Sequence, residues 1–93
     1  MIRAIVQYET EPDPARYARH IEEFVNKVDC GAFRHGRIFG SPFGEPGARY
    51  YAEFEWPDRA SFDAAAASEP FSASAKDAME MGIPFTVFFA EIA

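Results

Sequence analysis

Tyr50-Tyr51-Ala52-Glu53-Phe54-Glu55-Trp56-Pro57-Asp58-Arg59-Ala60-Ser61-Phe62-Asp63-Ala64-Ala65-Ala66-Ala67 is the stretch on which the fold turns. Its opening belongs to a strand from Ala48 to Trp56 that alternates, with Tyr50, Ala52, Phe54 and Trp56 on one side and Arg49, Tyr51, Glu53 and Glu55 on the other. Pro57-Asp58 stops that strand. Asp58 is placed to N-cap a helix whose alanines let it approach its neighbours closely. The Tyr50 face is apolar enough to lie under helices, so alternation sends Tyr51 and Glu53 to the opposite face.

Upstream, Gly40-Ser41-Pro42-Phe43-Gly44-Glu45-Pro46-Gly47 carries three Gly and two Pro, which no helix or strand survives, and is long enough for a rim or lid. Before it, Phe33 to Phe39 alternates Phe33, His35, Arg37 and Phe39 against Arg34, Gly36 and Ile38. Ile2 to Tyr8 is a β-branched first strand with Ile2, Ala4, Val6 and Tyr8 on one side. Asp13 is an N-cap, followed by Pro14 at the first helical position and by an apolar stripe of Tyr17, Ile21, Phe24, Val25 and Val28. That helix is expected to end near Asp29, with Gly31 as terminator. Downstream, Ser68-Glu69-Pro70 interrupts the alanine-rich helix, and Ser68 is placed to cap a second piece from Phe71 to Met81. Gly82 ends it, and Ile83 to Ile92 is a last strand, apolar on both faces.

The order β-α-β-β-α-β predicts an α+β, ferredoxin-like domain over residues 1–93: a four-stranded antiparallel sheet with two helices on one face. A last strand that is apolar on both sides asks for a second cover. A second copy packed sheet to sheet would supply it. The size points the same way, since a chain of 93 residues builds only a marginal core and here carries 16% aromatic residues, ten of them Phe.

A formal net charge of −6 repels phosphate backbones and anionic lipid, which argues against nucleic acid as a partner. An RNA-binding reading shares the element order, and Arg49 to Trp56 faintly echoes an RRM strand. It fails because Glu53 stands where an aromatic would stack and Tyr50 where glycine is usual. Cys30 is the single cysteine, with no His or Cys near it at metal-ligand spacing, and reads as a small packing residue in a reducing compartment. The glycines at 40, 44 and 47 lie between strands and so form turns, not a phosphate cradle. No cofactor or metal is expected. No apolar run approaches the roughly 20 residues of a membrane helix, and the cytoplasm is the default location.

The pattern Tyr50-Tyr51-x-Glu53-Phe54-x-Trp56-x-Asp58-x-x-x-Phe62, with the alanines and Ser68-Glu69-Pro70 after it, resembles the EthD family. So do the opening strand, Tyr17-x-x-His20, Arg37 and the Gly-Ser-Pro-x-Gly-x-Pro loop, which together span nearly the whole chain. The resemblance implies a member of the dimeric α/β-barrel superfamily with a small-molecule role: the namesake accompanies an oxygenase system in fuel-ether degradation, and relatives serve polyketide tailoring.

His20, at the edge of the first helix's apolar stripe, is a candidate acid/base because imidazole titrates near neutrality. Inside the expected barrel, Glu53 needs a counter-charge, and Arg37 with His35 on the same face of the neighbouring strand would provide one beside a second base. Gln7 and Tyr51 would complete a polar floor under Phe39 and Phe88 or Phe89. If Arg34 faces inward instead of Arg37, His35 leaves that floor. The candidates are therefore His20, His35 and Glu53 for catalysis, and Gln7, Arg37, Phe39, Tyr51 and Phe88 for substrate. The expected function is cofactor-free proton transfer or oxygenation on a hydrophobic or aromatic metabolite by a homodimer. The alternative is a dimer that binds or carries a small apolar ligand without chemistry.

Overall fold

A computed structural model describes all 93 residues. The chain runs β1 (Ile2–Tyr8), α1 (Pro14–Glu23), a 3₁₀ turn (Val25–Lys27), β2 (Ala32–Arg37), β3 (Tyr50–Trp56), α2 (Arg59–Ala66), α3 (Glu69–Glu80) and β4 (Phe85–Glu91). The four strands form one antiparallel sheet in the order β2-β3-β1-β4. This is the ferredoxin-like sheet that the element order predicts, with three helices in place of two.

The sheet is open, which corrects the barrel expectation. β2 and β4 are free edges at opposite ends of a four-stranded ribbon, and the sheet does not curl to bring them together. The molecule is correspondingly flat, at 38 × 32 × 17 Å.

Both N-caps form where the sequence places them. The Asp13 carboxylate accepts from the Arg16 amide at 3.0 Å, and that of Asp58 from the Ser61 amide at 2.8 Å. The first helix is shorter than expected, ending at Glu23, and the 3₁₀ turn carries Val25 and, just beyond it, Val28 into the core. Gly31 lies beyond that turn and not at a helix terminus. Its amide donates to the Glu55 carbonyl at 2.8 Å, and a β-carbon there would stand 3.3 Å from the same oxygen. Pro70 falls in the first turn of α3, where its missing N–H is harmless. Ser68 does not cap α3 through its side chain; its hydroxyl turns back to the Ala65 carbonyl. Gly82 ends that helix with φ of 75°, a conformation costly for a residue bearing a β-carbon.

The central pair sets the faces. Register runs from Ile2 opposite Trp56 to Tyr8 opposite Tyr50, so Ala4, Val6, Ala52 and Phe54 join those four on the helix side. The main core gathers Ile2, Ala4, Phe54 and Trp56 with Val25, Val28, Phe62 and Ala65. Trp56 is its anchor: it stands edge-on to Phe62 at 5.1 Å between centroids and donates its indole N–H to the Asp29 carbonyl at 2.7 Å. β4 departs from this pattern. As an edge strand it is little covered on either side, leaving Val87, Phe88 and Phe89 each about half exposed, at 47%, 45% and 55%.

Trp56→Ala is expected to cost about 3–5 kcal/mol, through the cavity and the lost indole bond. Urea unfolding would register this as a lower midpoint with an unchanged denaturant slope.

Candidate functional site

A largely apolar cavity lies between the sheet and the helices, not on the sheet's open face. Ala4, Val6 and Ala52 line it from the sheet, and Ser74, Ala75 and Ala78 from α3. Aromatic rings from Phe33, Phe54, Phe71 and Phe85 complete the apolar wall, and Tyr8, Tyr17 and His20 bring the other polar atoms. Lining residues Ala75 and Val87 are exposed, so the cavity meets solvent between α3 and β4. The space open to the centres of water-sized molecules is ≈ 70 Å³. At about 10–15 Å³ each, that is room for roughly five to seven such groups, the scale of one ring.

His20 is 3% exposed, and its Nδ1 stands 2.7 Å from Asp77 Oδ2. Arg16, one turn before His20 on α1, grips the same carboxylate with both terminal nitrogens, at 3.0 and 2.8 Å. Asp77 is 6% exposed, and desolvating a carboxylate costs several kcal/mol unless it is paired. Here a bidentate guanidinium and an imidazole supply the pairing. The Arg16 bonds hold the Asp77 carboxyl below the usual carboxylate range, with His20 adding to the effect against the opposing pull of burial. Burial lowers His20, outweighing the Asp77 contacts that favour its charged form, so the imidazole is neutral at pH 7.

A neutral imidazole whose Nδ1–H donates to Asp77 presents a lone pair at Nε2. That nitrogen bonds no protein atom, yet no buried side-chain nitrogen or oxygen is left without a partner. Nε2 must therefore touch open space, and the space that His20 lines is the cavity. Beside it, Tyr8 and Tyr17 stand edge to face at 5.8 Å, and burial raises both phenols, Tyr17 most strongly. Both stay protonated, and because Tyr17 donates to Tyr8, the Tyr8 hydroxyl is the one left able to donate. The arrangement is an oriented base at the polar end of an apolar chamber, a geometry suited to moving a proton.

The candidates read from the sequence are divided among three places. His20 lines the cavity. Gln7, Tyr51, Glu53 and Phe88 lie on the opposite, open face of the sheet, since they alternate with the residues beneath the helices. His35 and Arg37 are on the helix side of β2: Arg34 is paired with Glu53 in register, while His35 is opposite Ala52 and Arg37 opposite Tyr50. The expected Arg37–Glu53 pair is thus not formed. Glu53 is instead held by Arg3 at 3.4 Å and Arg34 at 3.6 Å, with the Tyr51 hydroxyl 3.4 Å away, while Arg37 reaches Glu11 on the surface. His35 bonds the Tyr50 hydroxyl at 2.6 Å at the rim, outside the cavity. Phe39 is almost wholly exposed in the 38–49 loop.

Sequence reasoning missed Asp77, Arg16, Tyr8 and Ser74 as site residues. A signal for Asp77 was present, because it falls beside Ser74, Ala78 and Met81 on the inward stripe of α3, where a carboxylate demands a partner. Arg16 and His20, four apart on α1, were the available partners. Three or more His, Cys, Asp or Glu side chains nowhere converge as metal ligands would, and no helix is long and apolar enough to cross a membrane.

No protein-family model matches the chain, and no curated protein does. Solved structures do. An EthD family protein from Bacillus halodurans C-125 superposes over 100% of this chain and 99% of its own, with a TM-score of 0.78 and 26% identity. A hydroxynitrile lyase from Passiflora edulis matches at a TM-score of 0.75 and 18% identity, covering 99% of this chain and 93% of its own. A dimeric ferredoxin-like protein of unknown function from Jannaschia sp. CCS1 matches at 0.71 and 16%, covering 98% of each. The last two likenesses establish the fold alone. The first adds a full-length similarity to an EthD protein.

Acidification is expected to destabilise the protein through this cluster. His20 resists protonation in the folded state, so stability falls as pH drops below the ordinary histidine range; Asp77, lowered in the folded state, withdraws its contribution as pH falls through the carboxylate range. Asp77→Asn should lose on the order of 3 kcal/mol at neutral pH by stranding Arg16. In urea titrations the gap from wild type should narrow toward acid pH; a gap independent of pH would rule out the ion cluster as its source.

Proposed function

We propose that this protein is a small-molecule enzyme that transfers a proton on an uncharged, largely apolar substrate held between the sheet and α3. His20 acts as the base and Asp77 as the group that fixes its tautomer. The observation that carries the reading is the 2.7 Å His20–Asp77 contact on a histidine that lines the chamber. Full-length similarity to an EthD protein and the shared fold with a lyase are consistent with it. Arg16 keeps Asp77 ionised, and an ionised Asp77 stabilises the imidazolium that forms when the proton moves. The chain's own groups suffice for this step. Glu53, His35 and Arg37 lie outside the chamber and serve structure or the rim in this reading.

In a substrate screen followed by mass spectrometry, His20→Ala should lower any turnover by about 10²–10⁴-fold, while His35→Ala changes it no more than a few-fold. Equal losses in both variants would remove His20 from its role. Saturable binding with no product from any compound would leave a ligand-binding protein in place of an enzyme.

Two copies are also proposed to associate through β4. That strand exposes Val87, Phe88 and Phe89 together with a free backbone edge, which unaccompanied proteins ordinarily blunt with charge, bulges or proline. The Jannaschia neighbour is described as dimeric. Sedimentation should give a dimer for the wild type and a folded monomer for Phe88→Glu; a wild-type monomer at high concentration would dismiss the association.

A further inference from the structure

From the lining of the chamber we infer its substrate class: a flat, uncharged ring bearing a hydroxyl, phenol-like or enol-like, whose O–H donates to His20 Nε2. The inference rests on the proton-transfer reading and narrows it. Three observations carry it.

Hydrogen-bond polarity comes first. With Nδ1–H committed to Asp77, the imidazole offers the cavity an acceptor, and His20 is itself 97% withdrawn from solvent, given its 3% exposure. A ligand that can only accept would leave that acceptor unpaired in apolar surroundings, whereas a hydroxyl satisfies it. The neighbouring Tyr8 phenol, kept protonated by burial and accepting from Tyr17, can then donate to the ligand oxygen as it gains negative character.

Charge comes second. The charges nearest the chamber are Asp77 and Arg16, and they neutralise each other through two bonds. An ionised ligand would enter an apolar enclosure with no free counter-charge, which the cost of desolvation forbids.

Shape comes third. Ala4 and Ala52 line the chamber from the sheet and Ala75 and Ala78 from α3, with the rings of Phe33, Phe54, Phe71 and Phe85 around them. Small groups on both sides leave a slot, and the ≈ 70 Å³ within it fits one ring.

Phenol, toluene and benzoate serve as probes at neutral pH, with affinity read by calorimetry and the His20 ring nitrogens by ¹⁵N NMR. Phenol should bind saturably, about tenfold or more tighter than toluene, and shift His20 Nε2 as an accepting nitrogen shifts. Benzoate should not compete. His20→Leu should bring phenol and toluene to equal affinity; if that variant does not fold, the Nε2 shift in the wild type decides. Toluene binding as tightly as phenol, or benzoate binding more tightly, overturns the substrate class while leaving an occupied chamber and the broader reading intact. No ring compound reaching the chamber at all overturns both.

Discussion

The register of β1 against β3 is the constraint on which the rest of the molecule depends. Seven residue pairs, from Ile2 with Trp56 to Tyr8 with Tyr50, sort every side chain of the two central strands onto one of two faces. A slip of β3 by one residue would carry Trp56 and Phe54 out of the core and bring Glu53 and Glu55 beneath the helices. Because one face is apolar and the other charged, that slip is strongly disfavoured. The outcome is a dry face on which α1, α2 and α3 rest, and an open face where Arg3 and Arg34 neutralise Glu53 and Glu55.

On the dry face, the Asp77 cluster ties α1 to α3 and at the same time aims the one base the chamber possesses. A carboxylate this buried is tolerable only with both partners present, so stability and orientation come from the same three side chains. Elsewhere α3 faces the sheet largely with alanine and serine, which leaves room under it where larger residues would have closed the core. The chamber is in this sense a local sacrifice of packing in a chain that otherwise packs Trp56, Phe54, Phe62 and Phe71 ring against ring. Core and candidate site share one layer, and substitutions in α3 are therefore felt by both.

The last strand explains why the expected barrel and the observed open sheet diverge. Apolar residues on both sides of β4 indicate that something covers it, but periodicity contains no information on whether the cover is a helix, a curled sheet or another molecule. Within the chain Phe89 stands against Phe62 and Phe71, yet it and Phe88 on the other side both remain about half exposed. The same reasoning places a cavity on the open face, where the structure instead has an ion network, and not on the helix side, where Ala75 and Ala78 of α3 line one.

What the sequence determined by itself was local: strand and helix order, the Asp13 and Asp58 caps, a helix break near Ser68, the helix stop at Gly82 and the inward face of β3, all of which follow from side-chain periodicity and backbone preference within a few residues. It also singled out His20. Only the tertiary structure decided that His20 meets Asp77, 57 positions away, that β2 presents Arg34 and not Arg37 to Glu53, and that the empty space lies under α3. Those outcomes depend on the pairing of a separate edge strand and the docking of one helix on another. Both are settled by contacts between distant segments, which no local pattern records.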